Sequence, residues 1–538
     1  MRLALLPAVA MMAAGAPSAQ AWTFETENWK GYWDNTLTYN LGFRARGIDN
    51  KIGNDPAFDE SDYKFNKRGD VVTNRFSLLT ELGGTYRDNL TLRLSAQGWH
   101  DFAYDDEVKG NPDLRGVAPP AYANGKYRSG VKNEHVSGGR LLDAFVQYSD
   151  SLGGTAYTTR LGRNTQYWGN GMFFATQSIS YSQGAVDGIA GSTAPGTPTK
   201  ALFLPRNQVN LSTQLTPSFG LGLQYFLERA ENVLPQGGTY RAPSDFLFTG
   251  QDSLLGVPRG STERADDIND NFGIAAFWQV TPDTTLGFYY RRLDEVQPWA
   301  PLMKLDGGAP SYFLAYNQDV NLYGISLDAP LGNSSLGMEL SYRDGTALNS
   351  TPGFVADDPK RGATGDVVNL LANVLVPLGS TPFYEAGTFI AELAHTRVLS
   401  VDSKNKMLYN GTGYDGCDGG KWRGCSTRSA TALSLSFTPE WIQVFPGIDL
   451  SMPTSLTTGL KGNPGVLGGT AQGSYTFSIG VQAKYLANHT LKVEYIGSRA
   501  RTGDTIVNAF GLPQYEGGNG PYMLNDRDWI SITAQTVF

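Results

Sequence analysis

The carboxy-terminal segment constrains this chain most. It reads Asp528-Trp529-Ile530-Ser531-Ile532-Thr533-Ala534-Gln535-Thr536-Val537-Phe538. Counting back in twos from Phe538 gives Thr536, Ala534, Ile532 and Ile530, whereas Gln535, Thr533 and Ser531 are polar. Successive side chains of a strand point to opposite faces. This strand therefore has one lipid-compatible face and one wet face, and it ends the chain on an aromatic. A closed membrane barrel requires that pattern of every strand. A half-buried strand of a soluble β-domain also satisfies it, so the rest of the chain must decide.

The two-residue period recurs throughout. Trp33, Leu37, Tyr39, Leu41 and Phe43 alternate with Asp34, Thr36, Thr38, Asn40 and Arg44. Leu336, Met338, Leu340 and Tyr342 alternate with Gly337, Glu339, Ser341 and Arg343. The cleanest run sets Tyr475, Phe477, Ile479, Val481, Ala483 and Tyr485 against Thr476, Ser478, Gly480, Gln482 and Lys484. These strands run about 10–14 residues, longer than the usual soluble strand and suited to crossing hydrocarbon at a tilt.

Connection lengths point the same way. Short links fall at 87–90, 150–154, 216–220, 281–284, 330–334, 377–383, 439–445 and 487–489. Long ones lie between them, at 46–71, 105–139, 167–202, 232–270, 294–318, 345–363, 400–428, 460–471 and 500–527. A meander barrel with periplasmic turns and long external loops alternates in this way, and a Greek-key sandwich need not. The count gives an all-β transmembrane antiparallel barrel of about 18 strands, within 16–20, with both termini on the periplasmic side.

Export is expected as well. Met1-Arg2 is a basic start, the stretch from Leu3 to Ala14 is apolar, and Ala19-Gln20-Ala21 is an A-x-A cleavage site. Residues 1–21 read as a signal peptide, leaving one barrel domain over 22–538. No later run of 18 apolar residues exists, so helical spans are excluded. The net charge of −8 argues against a nucleic-acid partner. Cys417 and Cys425 are the only cysteines. In an exported chain their short separation favours a disulfide over a metal site, since no histidine lies nearby.

Charges on the wet face should point into the lumen. These are Arg75, Glu81, Arg93, Asp143, Arg160, Glu228, Arg291, Glu339, Arg343, Glu392, Asp449, Lys484, Lys492 and Glu494. Both signs occur, which suits interior salt bridges, around inserted loops among other places, better than an ion-selective ring.

The segment Leu161-Gly162-Arg163-Asn164-Thr165-Gln166-Tyr167-Trp168-Gly169-Asn170-Gly171-Met172-Phe173-Phe174 resembles a Gram-negative outer-membrane family, domain of unknown function 1302. That family carries a G-R-x(4)-W-G-x(3)-F element, matched by Gly162, Arg163, Trp168, Gly169 and Phe173. The stretches 141–146, 337–343, 444–450, 473–480 and 526–528 extend the likeness over the mature chain. The resemblance implies an outer-membrane protein working beside a periplasmic lipoprotein-carrier-like protein and a resistance-nodulation-division transporter. It further implies movement of a hydrophobic molecule or lipid, in contact with outer-membrane lipid and lipopolysaccharide.

Strict alternation puts Arg163 on the lipid face, opposite in sense to Arg160. The expectation is that the strand ends before Arg163, with a bulge as the alternative. Arg163, Tyr167, Trp168, Phe173 and Phe174 would then stand at the outer rim. An interfacial girdle is the favoured role, and a constriction or apolar ligand contact the other.

Little points to catalysis. The histidines His100, His135, His395 and His489 are far apart, and no G-x-S-x-G, H-E-x-x-H or P-loop motif is present. No enzyme activity, cofactor or metal is expected. Two acidic clusters, one of Asp101, Asp105, Asp106 and Glu107, the other of Asp266, Asp267, Asn269 and Asp270, lack EF-hand spacing and read as solvated loop charge. A general diffusion porin or a structural barrel is the rival reading, and a barrel-embedded hydrolase the third.

Overall fold

A computed structural model describes residues 22–248, 250–263, 270–299, 302–306, 308–355 and 361–538. The signal-peptide expectation and Asp266, Asp267 and Asn269 lie outside the described residues.

Eighteen antiparallel strands close into a barrel. They are β1 (Trp29–Arg44), β2 (Val71–Tyr86), β3 (Leu90–Asp101), β4 (Ser137–Leu152), β5 (Thr155–Asn164) and β6 (Arg206–Thr216). Next come β7 (Phe219–Phe226), β8 (Phe272–Thr281), β9 (Thr284–Leu293), β10 (Val320–Leu331), β11 (Ser334–Ala347) and β12 (Thr364–Leu378). The circuit continues through β13 (Ala386–Val401), β14 (Ser429–Phe445), β15 (Ile448–Ser451 and Thr454–Lys461), β16 (Tyr475–Tyr485), β17 (His489–Arg499) and β18 (Trp529–Val537). Pairing of β1 with β18, Thr36 opposite Val537 through Arg44 opposite Trp529, closes the wall. Closure leaves no long sheet edge for lipid to face, which is the condition for spanning with strands. A short strand, Trp22–Glu25, adds to β1 below the carboxy terminus.

The alternation sets which face is which. Leu78, Leu82, Leu94, Leu161, Ile274, Ile325, Leu340, Leu393, Ile479 and Val481 lie exposed on the outer face. Aromatics edge this band at both ends. Trp29 meets Tyr86 and Tyr148 meets Tyr157 at the turn end, whereas Tyr290, Tyr323 and Tyr342 form a row at the loop end. Such girdles belong at the two interfaces of a bilayer.

Two expectations about strand ends are corrected. The link expected at 439–445 is strand, because β14 runs to Phe445. It absorbs the irregularity as a bulge between Trp441 and Phe445, with Gln443 at φ 50°, and reverses at Pro446-Gly447, where Gly447 has φ 74°. Likewise β5 does not end before Arg163. The strand continues to Asn164, with Arg163 paired to Ala144 and Asn207.

The loop end is filled. Loops 45–70 and 102–136 pack there with Tyr240 of the loop after β7 and Trp529 of β18, sharing a cluster of Phe65, Tyr104, Tyr122, Tyr127, Val131, Tyr240 and Trp529. Cys417 and Cys425 are disulfide-bonded in the loop after β13, with Cα atoms 5.5 Å apart.

Candidate functional site: a segment strapped across the lumen

The loop after β5, residues 165–205, does not stand at the rim. It folds into the barrel and crosses it. Its backbone contacts wall residues on β11, β13 and β18, and Lys200 near its end pairs with Glu81 of β2.

Two wall carboxylates hold this strap. Glu339 on β11 accepts backbone N–H groups from Asn170, from Gly171 at 2.8 Å and from Ile179 at 2.6 Å. The Ser178 hydroxyl donates to it at 3.2 Å. Glu392 on β13 accepts from the backbone of Met172, Phe173 and Phe174 at 2.6, 2.8 and 2.7 Å, and from Asn373 Nδ2 at 3.1 Å. Burying an ionised carboxylate is expensive unless hydrogen bonds replace its water. Here the backbone donors of a segment with few strand partners supply that replacement, so each buried group satisfies the other.

The local sequence explains the close approach. A Cβ on Gly169 would lie 2.5 Å from Glu339 Oε1, and Gly169 also adopts φ 93°. A Cβ on Gly171 would sit 2.6 Å from the Ser178 side chain. Glycine at both positions lets the strap reach the carboxylate without a side chain intervening. Trp168, between wall and strap, is 5% exposed and packs against Tyr289 with Ile179 and Ala275. Phe174 packs with Leu371, Ala394 and Ala432 of the inner wall. Met172 and Phe173 behave differently. Their backbone is fixed to an inward-facing carboxylate, yet they stay 45% and 40% exposed. They are the large apolar side chains of the strap left exposed beside an anchored backbone.

The sequence-derived residues distribute as follows. Arg75, Glu81, Arg291, Glu339, Arg343, Glu392 and Glu494 are buried within the barrel. Arg93 bridges Glu81 at 2.7 Å and Asp143 at 3.0 Å, Arg160 donates to Gln147, and Lys492 pairs with Glu494. Asp449 and Lys484 stand opposite one another at the exposed turn end. Glu228 is not on a strand. It lies beyond β7, where it pairs with Arg163 and accepts from Asn207. Arg163 also reaches the Leu141 carbonyl at 3.2 Å, so its outward register is offset by partners at the rim. Trp168 and Phe174 are inside the barrel, which corrects the rim placement, because the glycines and the two glutamates pull the segment inward. Glu339 and Glu392 were legible as lumen charges but not as anchors, since the strap's path is a tertiary fact.

The histidines are scattered. His100 packs on Phe102, His135 is buried in a loop and accepts from the Gln236 backbone, His395 meets Thr431 and His489 meets Thr536. Among the described residues no group of three His, Cys, Asp or Glu side chains is placed to hold a metal ion. The first acidic cluster is dispersed into separate contacts, with Asp105 on Lys64, Asp106 on Lys132, and Asp101 accepting from Thr73 and Asn74.

An apolar outer band, aromatic girdles and a strapped polar lumen define a porin-like barrel of the outer-membrane type. The chain belongs to a family described as proteins of unknown function, DUF1302, whose sequence model matches residues 2–538. No curated protein matches it. Among solved structures it is similar to OccAB2 of Acinetobacter baumannii, at 11% identity and TM-score 0.45, over 94% of this chain and 98% of that one. A BenF-like porin from Pseudomonas fluorescens Pf-5 is similar at 11% identity and TM-score 0.41, with 94% and 98% covered. OpdK of Pseudomonas aeruginosa, crystallised with vanillate, is similar at 10% identity and TM-score 0.41, over 94% and 98%.

Proposed function

We propose that this protein is an outer-membrane passage for a small, apolar molecule, with the strap as its constriction. The observation that carries the reading is the Met172–Phe173 pair. Two large apolar side chains are left exposed where a buried carboxylate anchors their backbone. Exposed apolar surface on a rigid support marks a contact site when it is not needed for packing. No energy-coupling motif was found in the sequence, so flux follows a gradient or an energised partner. The periplasmic carrier-like protein and the transporter implied by the family resemblance are the partners this scheme would use. The packed loop end and the strap weigh against a general diffusion porin, since sugars would need an open lumen.

The test is reconstitution of the mature chain in liposomes. Flux of a fluorescent long-chain alcohol is expected to exceed that of sugars, and Phe173→Asp is expected to lower it several-fold while heat-modifiable migration is retained. Rapid swelling in sugars with no alcohol flux would establish the porin reading instead. Amino-terminal sequencing of protein from the outer-membrane fraction is expected to begin at Trp22.

A further inference from the structure

A cavity of about 530 Å³ opens at the turn end of the barrel, and the passage reading makes no use of it. Its floor is the wall from β1 to β5. Two rows of paired residues cross that floor. One is Tyr32, Gly83, Arg93 and Phe145, and the other is Lys30, Thr85, Thr91, Gln147 and Arg160. Gly83 and Thr85 follow the buried Glu81 by two and four positions along β2, so both rows face the lumen. The short strand Trp22–Glu25 forms one side, with Thr23 opposite Tyr32 and Glu25 opposite Lys30. A Cβ on Gly83 would lie 2.4 Å from the Tyr32 ring. The glycine lets that ring lie close to the floor and leaves the space above it open.

The two arginines of this cavity are held differently. Arg93 stands between carboxylates, Glu81 at 2.7 Å and Asp143 at 3.0 Å, and Glu81 also takes Lys200 of the strap. Arg160 is held by an uncharged group. Its Nε and Nη2 donate to Gln147 Oε1 at 3.0 and 2.7 Å, and its guanidinium lies over the Phe145 ring at 4.7 Å. Among the described residues Arg160 forms no ion pair. Three cations, Arg93, Arg160 and Lys200, thus meet two carboxylates, and one positive charge is left over. That charge is not sealed in. Arg160 is half-buried, and the Arg93 side chain is 29% exposed. In each, Nη1 has no acceptor among the described residues and reaches open space. A guanidinium posed by a neutral amide, with its free edge on a cavity, is arranged for an acceptor from outside.

We propose that this cavity binds a small organic acid, a single carboxylate carried on an apolar body. The carboxylate meets the Nη1 groups of Arg160 and Arg93, which flank Phe145, and the body lies toward Tyr32 and Phe24. Guanidinium N–H groups suit a planar carboxylate. The single uncompensated positive charge sets one negative charge on the ligand. The volume sets its size, because cavities of this range hold bodies far larger than chloride or acetate. The aromatic side chains around the space set the apolar character of the rest. This site goes beyond the passage reading and stands whether or not an apolar molecule crosses the strap.

The test titrates the full mature chain, in maltoside micelles, with hexanoate by calorimetry. Hexanoate is expected to bind, and 1-hexanol and acetate to bind at least about tenfold more weakly, since each lacks one part of the ligand. Arg160→Gln is expected to weaken hexanoate by about tenfold or more, the usual effect of losing a hydrogen bond between charged groups. Tyr32→Ala, which alters no charge, is expected to weaken it several-fold. Both variants are measured on protein with normal heat-modifiable migration, and Tyr32→Ala carries the test if Arg160→Gln fails to assemble. In crystals soaked with 6-bromohexanoate, the bromine anomalous signal is expected on the Tyr32 side of the cavity, with the carboxylate on Arg160. Equal binding of 1-hexanol would overturn the anionic assignment, and equal binding of acetate the apolar one. No binding of hexanoate, unaltered affinity in either variant, or bromine elsewhere in the barrel would overturn the site.

Discussion

Removing the Glu392 carboxylate should release the strap. In the folded protein that group accepts the backbone N–H groups of Met172, Phe173 and Phe174, and it is fully buried. Glu392→Ala leaves these three donors without an acceptor on the wall. A buried unsatisfied donor costs about 1–3 kcal/mol, and of the three only the Phe174 N–H lies in a buried contact, so the lost stabilisation of the strapped state is about 1–3 kcal/mol. One tenfold change corresponds to about 1.4 kcal/mol, so opening of residues 172–174 should become about 5- to 100-fold more frequent. The barrel wall has no reason to follow, because β13 keeps its ladder to β12 and β14. Hydrogen exchange read by mass spectrometry would show the effect as lost amide protection over 172–174, with the wall strands unchanged. Planar-bilayer recordings should show larger or noisier conductance. Glu392→Gln should sit between, since an amide oxygen accepts more weakly than a carboxylate and its NH2 faces further donors. Unaltered protection at 172–174 in the alanine variant would refute the anchoring role.

Three other outcomes are expected. Ile479 is exposed on the outer face of β16 while Gln482 stands in inward register, so Ile479→Arg should lower folding yield in liposomes by an amount equivalent to about 2–4 kcal/mol near the midplane, and Gln482→Arg should do little. The loop-end cap should weaken as pH rises. Burial, and for Asp59 the charge of Asp245, pushes Asp59 up to about 8, and burial and Asp62 push Asp526 up to about 7. Glu60 is likewise raised, chiefly by burial. Carboxyls raised in the folded state stabilise it fully below their unfolded values near 4, and that contribution is lost as pH climbs through the folded ones. Hydrogen exchange of loops 45–70 and 227–248 should therefore speed up, after correction for intrinsic rates, between pH 5 and 9, and slowing over that range would contradict the assignment. Replacing Cys417 and Cys425 by Ser should loosen only the loop after β13. Closing so short a loop contributes roughly 2–3 kcal/mol in the chain-entropy model, and the change should leave heat-modifiable migration intact.

The sequence alone determined the class of fold. A period of two over long strands, with short and long links in alternation, admits few solutions other than a meander barrel. The closed eighteen-strand sheet has that form. This works because the pattern is local: each residue's face follows from its neighbours along the strand. It also separated the wet charges from the lipid-facing apolar residues. What it could not decide was where a long loop goes. Read locally, Tyr167–Phe174 was an aromatic stretch after a strand, and a rim girdle suited it. Its true position depends on Glu339 and Glu392, which lie 168 to 220 residues beyond the groups they hold there and meet the strap only once the barrel has closed. The same holds for Arg291. Its charge was visible in the sequence, but its partners, the strap carbonyls of Ile179 and Tyr181, were not. Strand periodicity is encoded residue by residue, whereas the partner of a buried charge is set by three-dimensional closure, and no spacing along the chain records it.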